Sequence, residues 1–191
     1  MSSDSQIMDL VSSFRNAMEA HEEHLKCFCA HGVQLEGWLK GEFIHFLDQH
    51  KSMAKIVGFD REERAGKGRK KVDFRLEFLG EMGTRHAWLE IKHWLIGYQK
   101  GCKYDALFYF SDPSSVGIAP DIKKLANIQD DDKYLLVLAT ANPGENEWFK
   151  GVDKFNQKFA PLSLKPVTKP KDFPSYYFLG LLKIDIQNKE T

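Results

Sequence analysis

Apolar residues at positions 7, 10, 11, 14, 18, 25 and 28 recur three or four apart, which predicts an amphipathic helix over residues 5–30. Gly32 marks its end. A second stripe of Leu35, Leu39, Phe43, Phe46 and Leu47 predicts a helix over 33–50. The period then changes. Residues 55–60 read as a short strand, and 61–71, with Gly66 and Gly68, as a turn. Residues 72–79 and 85–92 alternate with period two around Gly80-Glu-Met-Gly83, the signature of a hairpin. A four-residue loop sets Phe74 against Leu89, Leu76 against Ala87 and Val72 against Ile91, so the apolar faces coincide. Beyond it the pattern predicts a short strand over 107–110 and a helix over 120–128 opening on Pro120. A buried strand over 134–140 and a helix over 148–159 follow. A proline-rich loop over 161–175 then leads to a last strand over 176–186, with Gly180 as a bulge. The expected fold is α/β, a mixed central sheet flanked by helices. It forms a single domain over 1–191: an appended N-terminal helix at 1–31, a core at 33–140, and a C-terminal helix and strand at 141–191.

Composition narrows the function classes. A chain of 191 residues with 42% apolar and 13% aromatic side chains can bury a core and is not a disordered polymer. It has no run of the eighteen or so apolar residues that a membrane span needs. No basic region followed by an apolar stretch opens the chain. Three cysteines, two of them at positions 27 and 29, do not make a disulfide set. A reducing, cytoplasmic home and no membrane partner are the expectation. The net charge of +0 argues against coating nucleic acid by bulk charge. Residues 51–71 nevertheless carry a local excess of five positive charges. Lys67, Arg69, Lys70 and Lys71 sit in the turn just before Asp73, placed either to track a phosphate backbone or as a solvated turn. His21, His24, Cys27, Cys29 and His31 have zinc-ligand chemistry. A Cys-x-Cys pair on a helix points to two faces, however, so an amphipathic helix with buried cysteines is the expected reading.

The hairpin carries the chemistry. In its register Asp73 falls opposite Glu90, with Cβ atoms about 4.5–5.5 Å apart. Two carboxylates that close repel unless a cation lies between them, and a hard divalent cation with oxygen ligands fits. Lys92 lies two residues beyond Glu90 on the same face. On a wheel of about 100° per residue, Glu42 falls about 20° to one side of Leu35, inside the apolar stripe, where a glutamate is costly without a cation or donor. Glu36, about 100° to the other side, is the weaker candidate for the helix carboxylate. Trp88 shares the face of Glu90, as a wall of the cleft, a stacking surface for a base, or core. The same charges also fit an ordinary solvent-facing lattice, in which Lys71, Arg75 and Lys92 neutralise both acids.

A helix glutamate, then Val72-Asp73 on one strand, then Leu89-Glu90-Ile91-Lys92 on the next, resembles the PD-(D/E)xK, restriction-endonuclease-like nuclease superfamily. The resemblance covers residues 33–140. It implies a core of helix, three-strand meander, helix and strand. It also implies a magnesium- or manganese-dependent endonuclease that hydrolyses phosphodiester bonds of DNA. Asp73, Glu90 and the carbonyl of Ile91 would bind the metal, Lys92 would orient or activate the attacking water, and Glu42 would assist. Val72 stands where the family's name has proline. A chain this small would recognise its DNA through loops, a homodimer or a partner protein. The alternative is a catalytically inactive DNA- or protein-binding module on the same fold.

Overall fold

Helix α1 (Ser3–Met18) buries Ile7, Leu10, Val11, Phe14 and Met18 along one stripe, as its spacing predicts. The stripe lapses between Met18 and Leu25, and there the helix breaks into a 3-10 turn (Glu19–His21) with no buried residue. Helix α2 (Glu22–His31) follows and ends on Gly32 in the left-handed conformation, φ 60° and ψ 43°. The single helix expected over 5–30 is therefore two, because nothing apolar holds the middle against the core. In the computed structural model, residues 3–52, 56–64, 71–81, 83–96, 106–111, 117–129, 131–169 and 174–186 are described.

Helix α3 (Glu36–Ser52) leads into the meander β1 (Gly58–Arg64), β2 (Lys71–Gly80) and β3 (Gly83–Leu95). Then come α4 (Ala106–Ser111), α5 (Ala119–Ala126), β4 (Asp132–Thr140), α6 (Gly144–Lys158), β5 (Leu162–Pro166) and β6 (Tyr177–Ile186). The fold is mixed α/β. Its six-stranded sheet has the order β1-β2-β3-β4-β6-β5, in which β4 runs parallel to β3 and the other neighbours are antiparallel. The hairpin register is the expected one, with Phe74 opposite Leu89 and Leu76 opposite Ala87.

Each face of the sheet carries its own core. One holds α1 and α3 against Phe74, Leu76, Leu89, Ile91, Leu136 and Leu179; α1 belongs to this core, with Phe14 touching Phe43 and Phe46. The other holds α4, α5 and α6 against Trp88, Leu135, Val137 and Phe178. No described helix is long and apolar enough to cross a membrane.

Four local expectations change. Strand β1 runs on to Arg64, so the first residues of the expected turn are ladder, pairing Glu63 with Val72 and Arg64 with Lys71. Residues 107–110 lie in a helix: neighbours Tyr109 and Phe110 are both buried against Trp94, which a strand would set on opposite faces. The proline-rich stretch contains β5, an edge strand paired to β6 alone, where a terminal Pro166 is tolerated. Gly180 is no bulge. It sits in regular register opposite Val137, and a Cβ there would lie 2.5 Å from the Phe178 ring and 2.7 Å from Trp148. Gly180→Val should therefore lower the urea midpoint, at unchanged slope, by an amount equivalent to about 1–3 kcal/mol; an unchanged midpoint would contradict this packing.

Candidate active site

The β2–β3 ladder is regular from Gly80↔Gly83 to Phe74↔Leu89. At the next pair side chains replace the main-chain exchange. The Asp73 N–H donates to Glu90 Oε2 at 3.2 Å, and the Ile91 N–H donates to Asp73 Oδ2 at 2.9 Å. Val72, expected on the face of Phe74, packs with the opposite core beside Trp88 and Trp94. The strands part here, and the two carboxylates fill the opening.

Two helices bring further charges. From α3, Lys40 reaches Asp73 Oδ1 at 2.9 Å and Glu36 at 3.0 Å. From α5, Lys124 reaches Glu90 Oε1 at 2.5 Å and Asp121 at 3.5 Å. Lys92 closes the circuit, 3.1 Å from Asp121 and 3.7 Å from Glu36. The result is a ring of four carboxylates and three ammonium groups: Glu36, Lys40, Asp73, Glu90, Lys124, Asp121, Lys92 and back to Glu36. Sign alternates at every step except one. Asp73 meets Glu90 with no cation between them.

The electrostatics register that step. Burial and the charge of Asp73 push the Glu90 carboxyl up to about 7, against the pull of Lys124. At Glu36, Lys40 and Lys92 the charged forms are favoured. Burial opposes ionisation of Glu36, but the hydrogen bond from Lys40 holds its carboxyl below the usual range. Burial likewise pulls Lys40 and Lys92 down, yet their carboxylate partners hold both above the ordinary lysine value.

His93, one residue past Lys92, anchors the start of α3. Its Nδ1 lies 3.1 Å from the Leu35 main-chain nitrogen and against Gln34 Oε1, and its Nε2 lies 3.2 Å from Thr140 Oγ1. Burial lowers its pKa to about 4. The imidazole is thus a neutral brace that fixes the helix end carrying Glu36.

The structure brings Asp73, Glu90 and Lys92 into one cluster; Ile91 contributes its main chain there while its side chain lies in the core. It does not bring Glu42, whose carboxylate pairs with His21 Nε2 at 3.2 Å in the turn between α1 and α2. The stripe of α3 serves two neighbours, and this corrects the wheel. Its Glu42 edge leans on the N-terminal helices, where Trp38 meets His21 and Phe28. Its other edge leans on the sheet through Phe43 and Phe74, and carries Glu36 and Lys40. Glu36 is the helix carboxylate of the cluster.

Lys67, Arg69 and Lys70 lie outside the described residues. Lys71 is exposed and paired with Glu62 at 3.0 Å. Trp88 is buried core, its indole N–H donating to Asp131 at 2.8 Å. Cys27 is exposed, and the Cys29 thiol donates to the Tyr176 carbonyl. Lys40, Asp121 and Lys124 escaped the sequence reading. Their signal was the spacing of Glu36 with Lys40 and of Asp121 with Lys124, which is what any solvated helix face shows.

Comparison of the chain with protein-family models, with curated proteins and with solved structures returns no match. Among the described residues, no three His, Cys, Asp or Glu side chains converge as in an assembled metal centre. The donor chemistry at the like-charge step still suits a small hard cation, since magnesium is commonly held by one or two carboxylates and keeps several waters.

The shifts fix a pH dependence. The raised Glu90 pKa contributes stability that is full below about pH 4.5 and lost as pH rises through about 7. His93 works the other way: its contribution is full above about pH 6.5 and lost as pH falls towards 4. The two slopes oppose each other in the wild type. Chemical denaturation of Glu90→Gln should therefore show its stability gaining on the wild type as pH rises between about 4.5 and 7. A constant difference across that window would refute the assignment.

Proposed function

We propose that this chain is a metal-dependent endodeoxyribonuclease of the PD-(D/E)xK type, using magnesium or manganese to hydrolyse phosphodiester bonds of DNA. The observation that carries the proposal is the single like-charge step in an otherwise alternating ring, formed by Asp73 and Glu90 where β2 leaves β3. Such a step is the place a divalent cation would complete. The order α3, β1–β2–β3, α4, α5, β4, with β4 parallel to β3, supports a restriction-endonuclease-like core around it, with α4 as an added helix.

In this reading Asp73, Glu90 and the Ile91 carbonyl hold the cation. The bound cation supplies charge at the phosphate and a water of lowered pKa. The chain supplies position. Lys92 keeps its proton at neutral pH, because Asp121 and Glu36 outweigh burial. It therefore donates hydrogen bonds, orienting the water or the phosphate rather than abstracting a proton. Glu36 and Asp121 aim that ammonium from two helices. His93 keeps the α3 end in place.

The second reading, an inactive binding module, draws on the ammonium groups that already sit on Asp73 and Glu90. A cleavage assay on duplex, single-stranded and branched DNA with magnesium or manganese separates the two. Metal-dependent products are expected from the parent chain, with losses of about 100-fold or more in Asp73→Ala and Lys92→Ala. Glu42→Ala should cleave like the parent, while Glu36→Ala should be impaired. Absence of metal-dependent cleavage on every substrate, or equal activity in Asp73→Ala, would reject the nuclease.

A further inference from the structure

The three ammonium groups of the ring are not equivalent once Asp73 and Glu90 turn to a cation. Lys92 is held by Asp121 at 3.1 Å and Glu36 at 3.7 Å, neither of them a proposed metal ligand. Lys40 gives up Asp73 but keeps Glu36 at 3.0 Å, one helical turn away on its own helix. Lys124 gives up its shortest contact, the 2.5 Å pair with Glu90. Its remaining partner, Asp121 at 3.5 Å, is already engaged more closely by Lys92. The Lys124 side chain is only 11% exposed. A buried ammonium left with one long contact, to Oδ1 of a carboxylate whose Oδ2 already pairs with Lys92, is poorly compensated.

The geometry points to Lys124 as a substrate-binding residue, parked on Glu90 in the free protein and transferred to a phosphate oxygen of the bound nucleic acid when Glu90 ligates a divalent cation. The inference rests on the nuclease reading and adds to it a phosphate ligand outside the Asp…Glu-x-Lys motif. The position follows from the fold: Asp121 and Lys124 face the opening from α5, while Ile122 and Leu125 fix that helix in the core. No side-chain ammonium needs to change its protonation state; only its partner changes. Cation and phosphate binding become linked, because each takes one half of the Lys124–Glu90 pair and each favours the other by the same factor.

Calorimetry with Mn2+ alone, and then with inorganic phosphate added to the Mn2+-loaded protein, tests this. In Lys124→Met the competitor for Glu90 is gone, so Mn2+ alone should bind about tenfold tighter than in the wild type. Phosphate should bind the loaded variant about tenfold more weakly, and DNA cleavage should fall. Lys124→Arg should restore much of the phosphate affinity. Should Lys124→Met fail to fold, Lys124→Gln, which removes the competing charge while keeping a polar side chain there, carries the same comparison. Unchanged or weaker Mn2+ binding in the neutral variant, or unchanged phosphate binding, would overturn the role of Lys124 while leaving the nuclease reading intact. No Mn2+ uptake by the wild type would overturn both.

Discussion

Charges taken out of water must find opposite charges, and the opening between β2 and β3 is organised by that requirement. Seven ionisable side chains from two strands and two helices meet there, and each ammonium lies between two carboxylates. The arithmetic leaves one carboxylate in excess. The ring places that excess at Asp73 and Glu90, which are linked through the main-chain N–H groups of Asp73 and Ile91. A structural charge lattice has no need of an imbalance at its most buried point, because such a charge costs stability. In the proposed nuclease reading a bound cation would offset that excess; without one, protonation of Glu90, whose carboxyl is pushed up to about 7, does so.

The rest of the fold holds this ring in shape. The hairpin register sets Asp73 beside Glu90, and the end of the ladder at Phe74↔Leu89 frees their side chains to cross-brace the strands. Helix α3 approaches from one face of the sheet and α5 from the other. His93 stitches β3 to the start of α3 through Leu35 and to β4 through Thr140. The ring thus links α3 and α5 to β2 and β3 by salt bridges.

Much of this was legible in the sequence because strand alternation holds from Phe74 to Phe78, although it breaks at Val72. A period of two fixes register, and register alone put Asp73 opposite Glu90 with Lys92 on the same face. The helices were harder. A wheel gives the angle of a side chain but not which neighbour lies in that direction, and α3 has two neighbours. Glu42 was misassigned for that reason, since α1 and α2 pack where the sheet was expected. Asp121 and Lys124 were invisible for a related reason: charged residues one turn apart look alike whether they face solvent or a cleft. The 107–110 run was misread because aromatic residues favour strands only where a pleated surface receives them, and here Trp94 and Trp148 receive them on a helix.

Anomalous scattering from a crystal grown with Mn2+ tests the central claim most directly, because it locates the cation without reference to activity. The account predicts one peak bonded to a carboxylate oxygen of Asp73, one of Glu90 and the Ile91 carbonyl, with Lys124 moved off Glu90. A peak elsewhere, or none with Lys124 still seated on Glu90, would mean that the three lysines already complete the ring and that the site is not built for a metal.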